Sequence, residues 1–509
     1  MIFLRKAKLF LINGVILTST SLLMRGLSLV FNIYIANMVG SETIGIFSLI
    51  MSVYSFAITV ATSGLGVSCT CIVSEEFAKD NHINGLKAVR TCNLFALLLG
   101  IIAGILIILI SPFISHYWLK DSVSNLPLYA IALGLPFISI SSVIGGYFSS
   151  VSKSYKSAIS QVFELSIKMI FTIIFLHFTI SKGVEAICLS LILADVISEL
   201  FSFTLNCIMY VFDKRKYCQT RNMPIQMKKR IISIAFPIAV TSFIRSGLSS
   251  LKQFLIPLRL ELSGLTYSIA VSQYGLISGM VMPVLLFANV FISSFSGLLV
   301  PEFSRLLAGG NHNRLKTVSN TLFKVSFIFS ICVASIFFFF AEEISLAVYQ
   351  NLESAKWLKF LAPLVIFMYV DNIVDGILKG INDQVGVMCC NILDLAITIA
   401  IIFFLVPHIG IMGYIISIIV SEILNFSISC IQLRKKIKYT IPIFEVIVFP
   451  IIASILAYII SSFFTFHFSS IVINLICQIS VFVIIFVLFV LKDKLNFKTF
   501  FNNLLTIKK

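Results

Sequence analysis

The sequence predicts an all-α integral membrane protein with about fourteen transmembrane helices, and three observations carry that prediction. First, 59% of the 509 residues are hydrophobic, only 12% are charged and 48 are Phe. The mean hydropathy is +1.04, and no soluble domain of this size with such a composition would escape aggregation. Second, apolar runs long enough to cross a bilayer as helices recur along the whole chain, whereas a barrel would show alternating segments of ~10 residues. Third, Lys and Arg are unevenly shared between the two sets of connecting segments. With no water in the hydrocarbon core, each span must satisfy its own backbone hydrogen bonds, which a helix does.

The expected spans lie near 9–35, 43–68, 90–112, 126–149, 157–179, 184–211, 231–258, 270–299, 322–341, 358–380, 386–406, 410–432, 440–463 and 470–491. The first is too long for the apolar core of a signal peptide and no A-x-A cleavage pattern follows, so it reads as a retained helix. If the N-terminus is cytoplasmic, 29 of the 38 Lys and Arg fall on inner segments, 5 on outer segments and 4 within spans. That is the positive-inside pattern; it places both termini in the cytoplasm of a multi-pass cell (plasma) membrane protein. The net charge of +16 is thereby an orientation signal, and no nucleic acid is expected as a partner.

The longest inner segment, 213–230, is a cytoplasmic basic linker between an N-terminal six-helix lobe, 1–212, and a C-terminal six-helix lobe, 231–433. Four stretches of the first lobe answer to four of the second in the same order. "RGLS" (25–28) matches "SGLS" (246–249), and "EEFAKDNHINGLKAV" (75–89) matches "PEFSRLLAGGNHNRLKTV" (301–318). "QVFELSIKMIFTIIFL" (161–176) matches "NILDLAITIAIIFFL" (391–405), with Glu164 against Asp394. "AICLSLILADVI" (186–197) matches "GYIISIIVSEIL" (413–424), with Asp195 against Glu422. An even number of spans per lobe makes the repeats parallel, related by a pseudo-twofold along the membrane normal, with a substrate site expected between them near the midplane. Two additional helices and a cytoplasmic tail, 434–509, have no repeat partner.

Charges inside spans are costly, about 2.5–3.5 kcal/mol for a cation at the bilayer centre on insertion scales, so each one calls for a function or a partner. Arg25 stands near mid-depth in the first span, and Arg245 occupies nearly the same depth in the seventh. Arg245, Lys252 and Arg259 follow at seven-residue intervals, close to two turns, and so share one face. With Arg25 they form a cationic wall suited to an anion, and to phosphate in particular. The competing reading is that these side chains pair with intramembrane carboxylates or carbonyls, or snorkel to the interface. Asp371 and Asp375, four residues apart on one face of the tenth span, are ion-coupling candidates for sodium or protons; the alternative is helix-to-helix hydrogen bonding. Lys168 follows Glu164 by four residues and is expected to pair with it. Glu164, Asp394, Asp195 and Glu422 recur in both halves, which favours a structural or hinge role.

Other chemistry is sparse. Eleven cysteines show no metal-ligand spacing and read as small apolar residues among helices. The six histidines are scattered over segment ends. No H-E-x-x-H, P-loop or G-x-S-x-G occurs. No catalytic residue, metal site or cofactor is expected, only coupling by sodium ion, proton or membrane potential.

The strings "RGLSLVFNIYIANMVGSETIGIFSLI" and "SGLGVSCTCIVSEEFAKDN", with "GLISGMVMPVLLFANVFISSFSGLLVPEFSRLLAGGN" at 275–311, resemble the MOP exporter superfamily (MATE-like). Within it they are similar to the polysaccharide biosynthesis and stage V sporulation protein B family, which is related to lipid II flippases. The resemblance implies a flippase for an undecaprenyl-diphosphate-linked oligosaccharide working by alternating access, with Arg25 and Arg245 at positions where the first helix of each half carries arginines. One departure stands out: lipid II flippases carry a further arginine about two turns down the first helix, where this chain has Leu29, Val30, Phe31 and Asn32. That argues against lipid II itself as the substrate. The competing functions are a cation-coupled multidrug antiporter of the MATE type, which would want acidic cavities, and a membrane glycan ligase, which would want a larger outer loop. The expected partners are the lipid-linked glycan, membrane lipids and cell-wall synthases, with the protein working as a monomer.

Overall fold

A computed structural model describes residues 2–62, 64–214, 225–437, 439, 442–464 and 470–492. Most of the expected basic linker, and the tail beyond 492, lie outside the described residues. Within them the chain is helical, with no strand. The α-helices are α1 (Ile2–Thr62), α2 (Leu65–Ala78), α3 (His82–Phe113), α4 (Leu126–Ser150), α5 (Ser154–Thr179), α6 (Val184–Lys214), α7 (Ile225–Glu261), α8 (Tyr267–Gly275) and α9 (Met282–Phe287). They continue as α10 (Asn289–Ala308), α11 (His312–Phe339), α12 (Ala341–Tyr349), α13 (Leu352–Leu361), α14 (Leu364–Gly380), α15 (Gln384–Ile409), α16 (Ile411–Lys436), α17 (Phe449–Ser462) and α18 (Ile471–Lys492).

Among the described residues twelve helices are long and apolar enough to cross a membrane, or thirteen if α13 and α14, bent by 54° at their break, form one span. The difference from the expected fourteen arises chiefly at the start, where the first two expected spans fall within one apolar stretch, Leu22–Ala78. That stretch is broken at Gly40, whose φ of 78° and ψ of 172° belong to a region that residues with a Cβ enter only under strain. The eighth expected span, 270–299, is likewise interrupted: α8 runs through a π-helical turn at Leu276–Val281 into the short α9, and α10 begins at Asn289.

By contacts the chain forms two compact units, the division falling after Gly279. The first comprises residues 1–279 and 399–411. Its helices approach closely where small residues meet. Gly100 and Gly104 of α3 face the α4 backbone at Pro136 and Ala132, and Ser139 Oγ donates to the Ala96 carbonyl at 2.8 Å. This is the small-xxx-small contact that lets membrane helices associate without a hydrophobic driving force. On α1 and α8, Gly45 and Gly275 touch backbone to backbone, beside a Ser41–Ser272 hydroxyl pair at 2.7 Å. The second unit, residues 280–398 and 412–509, uses the same device between α10 and α14. There Ser296 and Ser304 Oγ each donate at 2.8 Å, to the Asn372 and Gly380 carbonyls.

Candidate functional site

The long helix α7 carries three of the four expected cationic residues. Arg245 is exposed, while Lys252 and Arg259 are half-buried. At about 100° per residue the three lie within about 40° of one another, so they form a single stripe. The opposite side of α7 is the side that packs on α1. Ser250 Oγ donates to the Ser52 carbonyl at 2.9 Å, Thr59 Oγ1 donates to Ser246 Oγ at 3.2 Å, and Phe56 covers Gly247. Those α7 positions sit roughly 100–200° around from Arg245, so the α1 contact turns the stripe away from α1 beyond Gly40.

Arg25 is exposed and belongs to the part of α1 that precedes the Gly40 break, whereas Ser52, Phe56 and Thr59 follow it. Its neighbour Gly26 has open space where a Cβ would stand. Among the described residues neither Arg25, Arg245 nor Lys252 is held in an ion pair. Arg259 differs: its guanidinium carbon lies 3.5 Å from the Phe403 ring centroid, so it is already engaged by a cation–π contact. Among the described residues, three of the four expected cations thus have no counter-charge, and the fourth has an aromatic partner.

Both ends of α7 are tied to the helices before it. At the start, Arg230 bonds Glu75 and, at 3.3 Å, Glu76 of α2. Beside that ion pair Met227, Ile231 and Ala235 enter a buried cluster with Leu65, Val73 and Tyr147. At the far end, Lys120 approaches Glu261 at 3.5 Å, the Trp118 and Phe254 rings meet at 4.4 Å, and Tyr267 Oη donates to the Trp118 carbonyl at 2.9 Å.

In the second unit, Asp371 and Asp375 share a face of α14, as expected, but they find different partners. Asp375 takes Lys379, one turn on, at 3.2 Å, whereas Asp371 Oδ2 accepts from Asn425 Nδ2 of α16 at 2.8 Å. Asp371 Oδ1 and Asn425 Oδ1 are buried without a partner, two oxygens that a bound cation or a proton would satisfy. Asp394 and Glu422 are the other carboxylates whose fields reach Asp371, and Asp394 Oδ1 accepts from Ser421 at 2.7 Å. No group of three or more His, Cys, Asp or Glu among the described residues converges as a metal site would, so a cation here would rest largely on amide and hydroxyl oxygens.

The expected Glu164–Lys168 pair does not form. Lys168 instead bonds Asp195 of α6. Helices α5 and α6 run antiparallel, and a Ser160–Ser202 hydroxyl pair at 3.0 Å sets a register that puts Asp195 opposite Lys168 and Ser202 beside Glu164. The i,i+4 rule describes an isolated helix face; packing supplied a better placed carboxylate.

Comparison with known proteins bears on this arrangement as follows. The family described as "Polysaccharide biosynthesis protein" matches residues 10–307, and the family described as "MatE" matches residues 268–405. The chain is 25% identical over 451 residues to stage V sporulation protein B of Bacillus subtilis (strain 168), covering 86% of each protein. In fold it is similar to the lipid II flippase MurJ in an inward closed conformation, with a TM-score of 0.67 at 14% identity, covering 93% of this chain and 98% of that one. It is also similar to an inward-facing multidrug resistance MATE family transporter of the MOP superfamily, with a TM-score of 0.60 at 14% identity, covering 80% and 94%. At such identities the two structures speak to the fold alone.

Proposed function

The chain belongs to the polysaccharide biosynthesis protein family, within the MOP superfamily of multi-pass membrane transporters, and from that premise we propose that it is a flippase for a lipid-linked oligosaccharide. The cargo is an undecaprenyl-diphosphate-linked unit, a peptidoglycan or spore-cortex precursor or another cell-surface glycan, moved from the inner to the outer leaflet of the cell membrane by alternating access. The observation that carries this reading is the set of cations without counter-charge among the described residues, Arg25, Arg245 and Lys252, on stretches apolar enough to cross the membrane. Each would cost about 2.5–3.5 kcal/mol at the bilayer centre on insertion scales, and an arriving diphosphate relieves that cost while losing its own hydration. Guanidinium forks meet phosphate oxygens two at a time. The lipid tail stays in the bilayer, so the protein needs to shelter only the head group.

In this cycle the two ties of α7 part in turn. The Arg230–Glu75/Glu76 side opens to admit cargo and the Lys120–Glu261 side opens to release it, each conformation being one the protein already samples. Both termini lie in the cytoplasm under this scheme, and cell-wall synthases would receive the product. Asp371 and Asp375 are the candidates for coupling to a sodium ion, a proton or the membrane potential, since Asp371 keeps one buried oxygen free.

Arg25→Ala and Arg245→Ala, verified to reach the membrane, should each fail to support growth of a flippase-depleted strain. Full complementation by both would overturn the site. Drug-susceptibility profiling of the same strain separates this reading from a drug antiporter, because a cationic stripe repels organic cations; resistance conferred on the host would favour the antiporter.

A further inference from the structure

A second set of charged groups lies wholly inside the first unit, where α1, α5 and α6 meet, and the flippase reading does not use it. Lys168 of α5 bonds Asp195 Oδ1 of α6, and the Asp195 side chain is only 8% exposed. Its other oxygen, Oδ2, is buried without a partner. So is the hydroxyl of Tyr54 on α1, a residue 5% exposed, and the carboxylates whose fields reach it are those of Glu199, Asp195 and Glu164. Glu164 stands beside Ser202 and feels Asp195 and Lys168. Glu199 feels Glu164, Asp195 and Lys168. Three carboxylates therefore face a single ammonium, and among the described residues no other charged group from the packed helices acts on Glu164 or Glu199.

Fully ionised, the cluster would hold two uncompensated negative charges among membrane-spanning helices, on half-buried side chains, a cost large beside the net stability of a folded protein. Some bound positive charge must offset it. A metal ion would need several oxygens converging at one point, and no such group of acidic side chains exists among the described residues. The carboxylates are instead spread along the α5–α6 seam, where protons can be taken up one carboxylate at a time. Hydroxyls line the same seam: Ser160 and Ser202 at 3.0 Å, Ser190 donating to Thr179 at 2.9 Å, and a buried Thr172 Oγ1 without a partner. In the sequence repeat that sets Glu164 against Asp394, Thr398 stands where the first half has Lys168, so the tethered ammonium is particular to this half.

We propose that Tyr54, Glu164, Lys168, Asp195 and Glu199 form a proton-binding site, in which Glu164 and Glu199 take up protons from water and return them while Lys168 stays fixed on Asp195. Tyr54 donates to whichever carboxylate is ionised, and the free Asp195 oxygen accepts from a protonated neighbour. The site shares no residue with the cationic stripe of α7, and its test requires no transport.

Infrared spectroscopy of the full chain in lipid nanodiscs, titrated in pH and exchanged into heavy water, reads it directly. The expected result at neutral pH is a protonated-carboxyl C=O band that disappears as pH rises, weakens in Glu199→Gln and in Glu164→Gln, and grows relative to the carboxylate bands in Lys168→Met. A wild-type spectrum without a protonated carboxyl at neutral pH would overturn the proposal without recourse to any variant. So would a band unchanged in the Glu164→Gln/Glu199→Gln double variant. Loss of the Glu199-dependent band on adding sodium chloride but not choline chloride at constant pH would assign the cluster to a metal ion instead, and would equally overturn it.

Discussion

The guanidinium carbon of Arg259 lies over the ring of Phe403, 3.5 Å from its centroid, joining the end of α7 to residues of α15 more than a hundred positions away. A desolvated cation–π contact is worth roughly 0.5–2 kcal/mol. Phe403→Leu should lower the free energy of unfolding in nanodiscs by that amount, and Arg259→Gln on that background should add little to it, because the pair is already broken. Full additivity in the double-mutant cycle would show that Arg259 serves something other than the ring.

Two glycines make a matched test of packing. A Cβ on Gly275 would collide with the Ser41 carbonyl and the Gly45 backbone, whereas one on Gly26 meets nothing within 4 Å. Gly275→Ala should destabilise the protein by about 1–3 kcal/mol, as overpacking does. Gly26→Ala, in an open stretch of helix, should be neutral or stabilising by up to about 1 kcal/mol. Yield and thermal unfolding from the same membrane preparation would decide it; equal behaviour of the two variants would mean that α1 and α8 do not cross at Gly45 and Gly275.

In the turn between α14 and α15, Asp383 Oδ2 lies 2.8 Å from Lys436 Nζ of α16, and Gln432 Nε2 of the same helix donates to that carboxylate at 2.7 Å. The ammonium first, and then the amide, hold the Asp383 carboxyl below its ordinary value of 3.8. A carboxyl lowered by folding stabilises the native state above its ordinary value, and that contribution is lost as the pH falls through the folded value. Wild type should therefore lose up to about 1 kcal/mol more than Lys436→Gln when unfolding is compared at neutral pH and at the acid end of this range, the size expected of a partly solvated ion pair. Parallel pH profiles for the two proteins would count against the pair.

At the opposite end of α7 from Tyr267, the Arg230 ion pair with Glu75 and Glu76 is expected to bias α7 toward the α2-bound state by up to about 1 kcal/mol, roughly a fivefold population ratio. Arg230→Glu should change the flipping rate in proteoliposomes, and Glu75→Arg/Glu76→Arg on that background should bring it back. A rate unmoved by charge reversal would remove this contact from the gating step.

Local and periodic features were the legible ones. The apolar runs marked the helices, the gap expected between residues 35 and 43 contains Gly40, and the seven-residue spacing of Arg245, Lys252 and Arg259 survives as one stripe of α7 because it depends only on helical pitch. Register between helices leaves no periodic trace, so the sequence points Lys168 to Glu164 on its own helix, whereas the α5–α6 packing offers Asp195. For the same reason nothing near Arg259 in the chain points to Phe403. The bend between α13 and α14 and the interruption at Leu276–Val281 leave no mark in the sequence because apolar composition continues across them, and hydropathy averages over a change of direction.

At Gly40 the path of the chain changes on a single residue, with helix on either side and no connecting segment to spare. Anyone mapping the topology of this protein by inserting a reporter meets that fact at once. An epitope or a reactive cysteine cassette at 183, where Gly183 has a φ of 94° between α5 and α6 and open space beside it, adds to a turn that can lengthen. The same insertion at 40 would rotate every residue beyond it by about 100° per added position and carry Gly45 off Gly275. The hinge between the first two apolar stretches is best probed by single substitution, and reporters belong elsewhere.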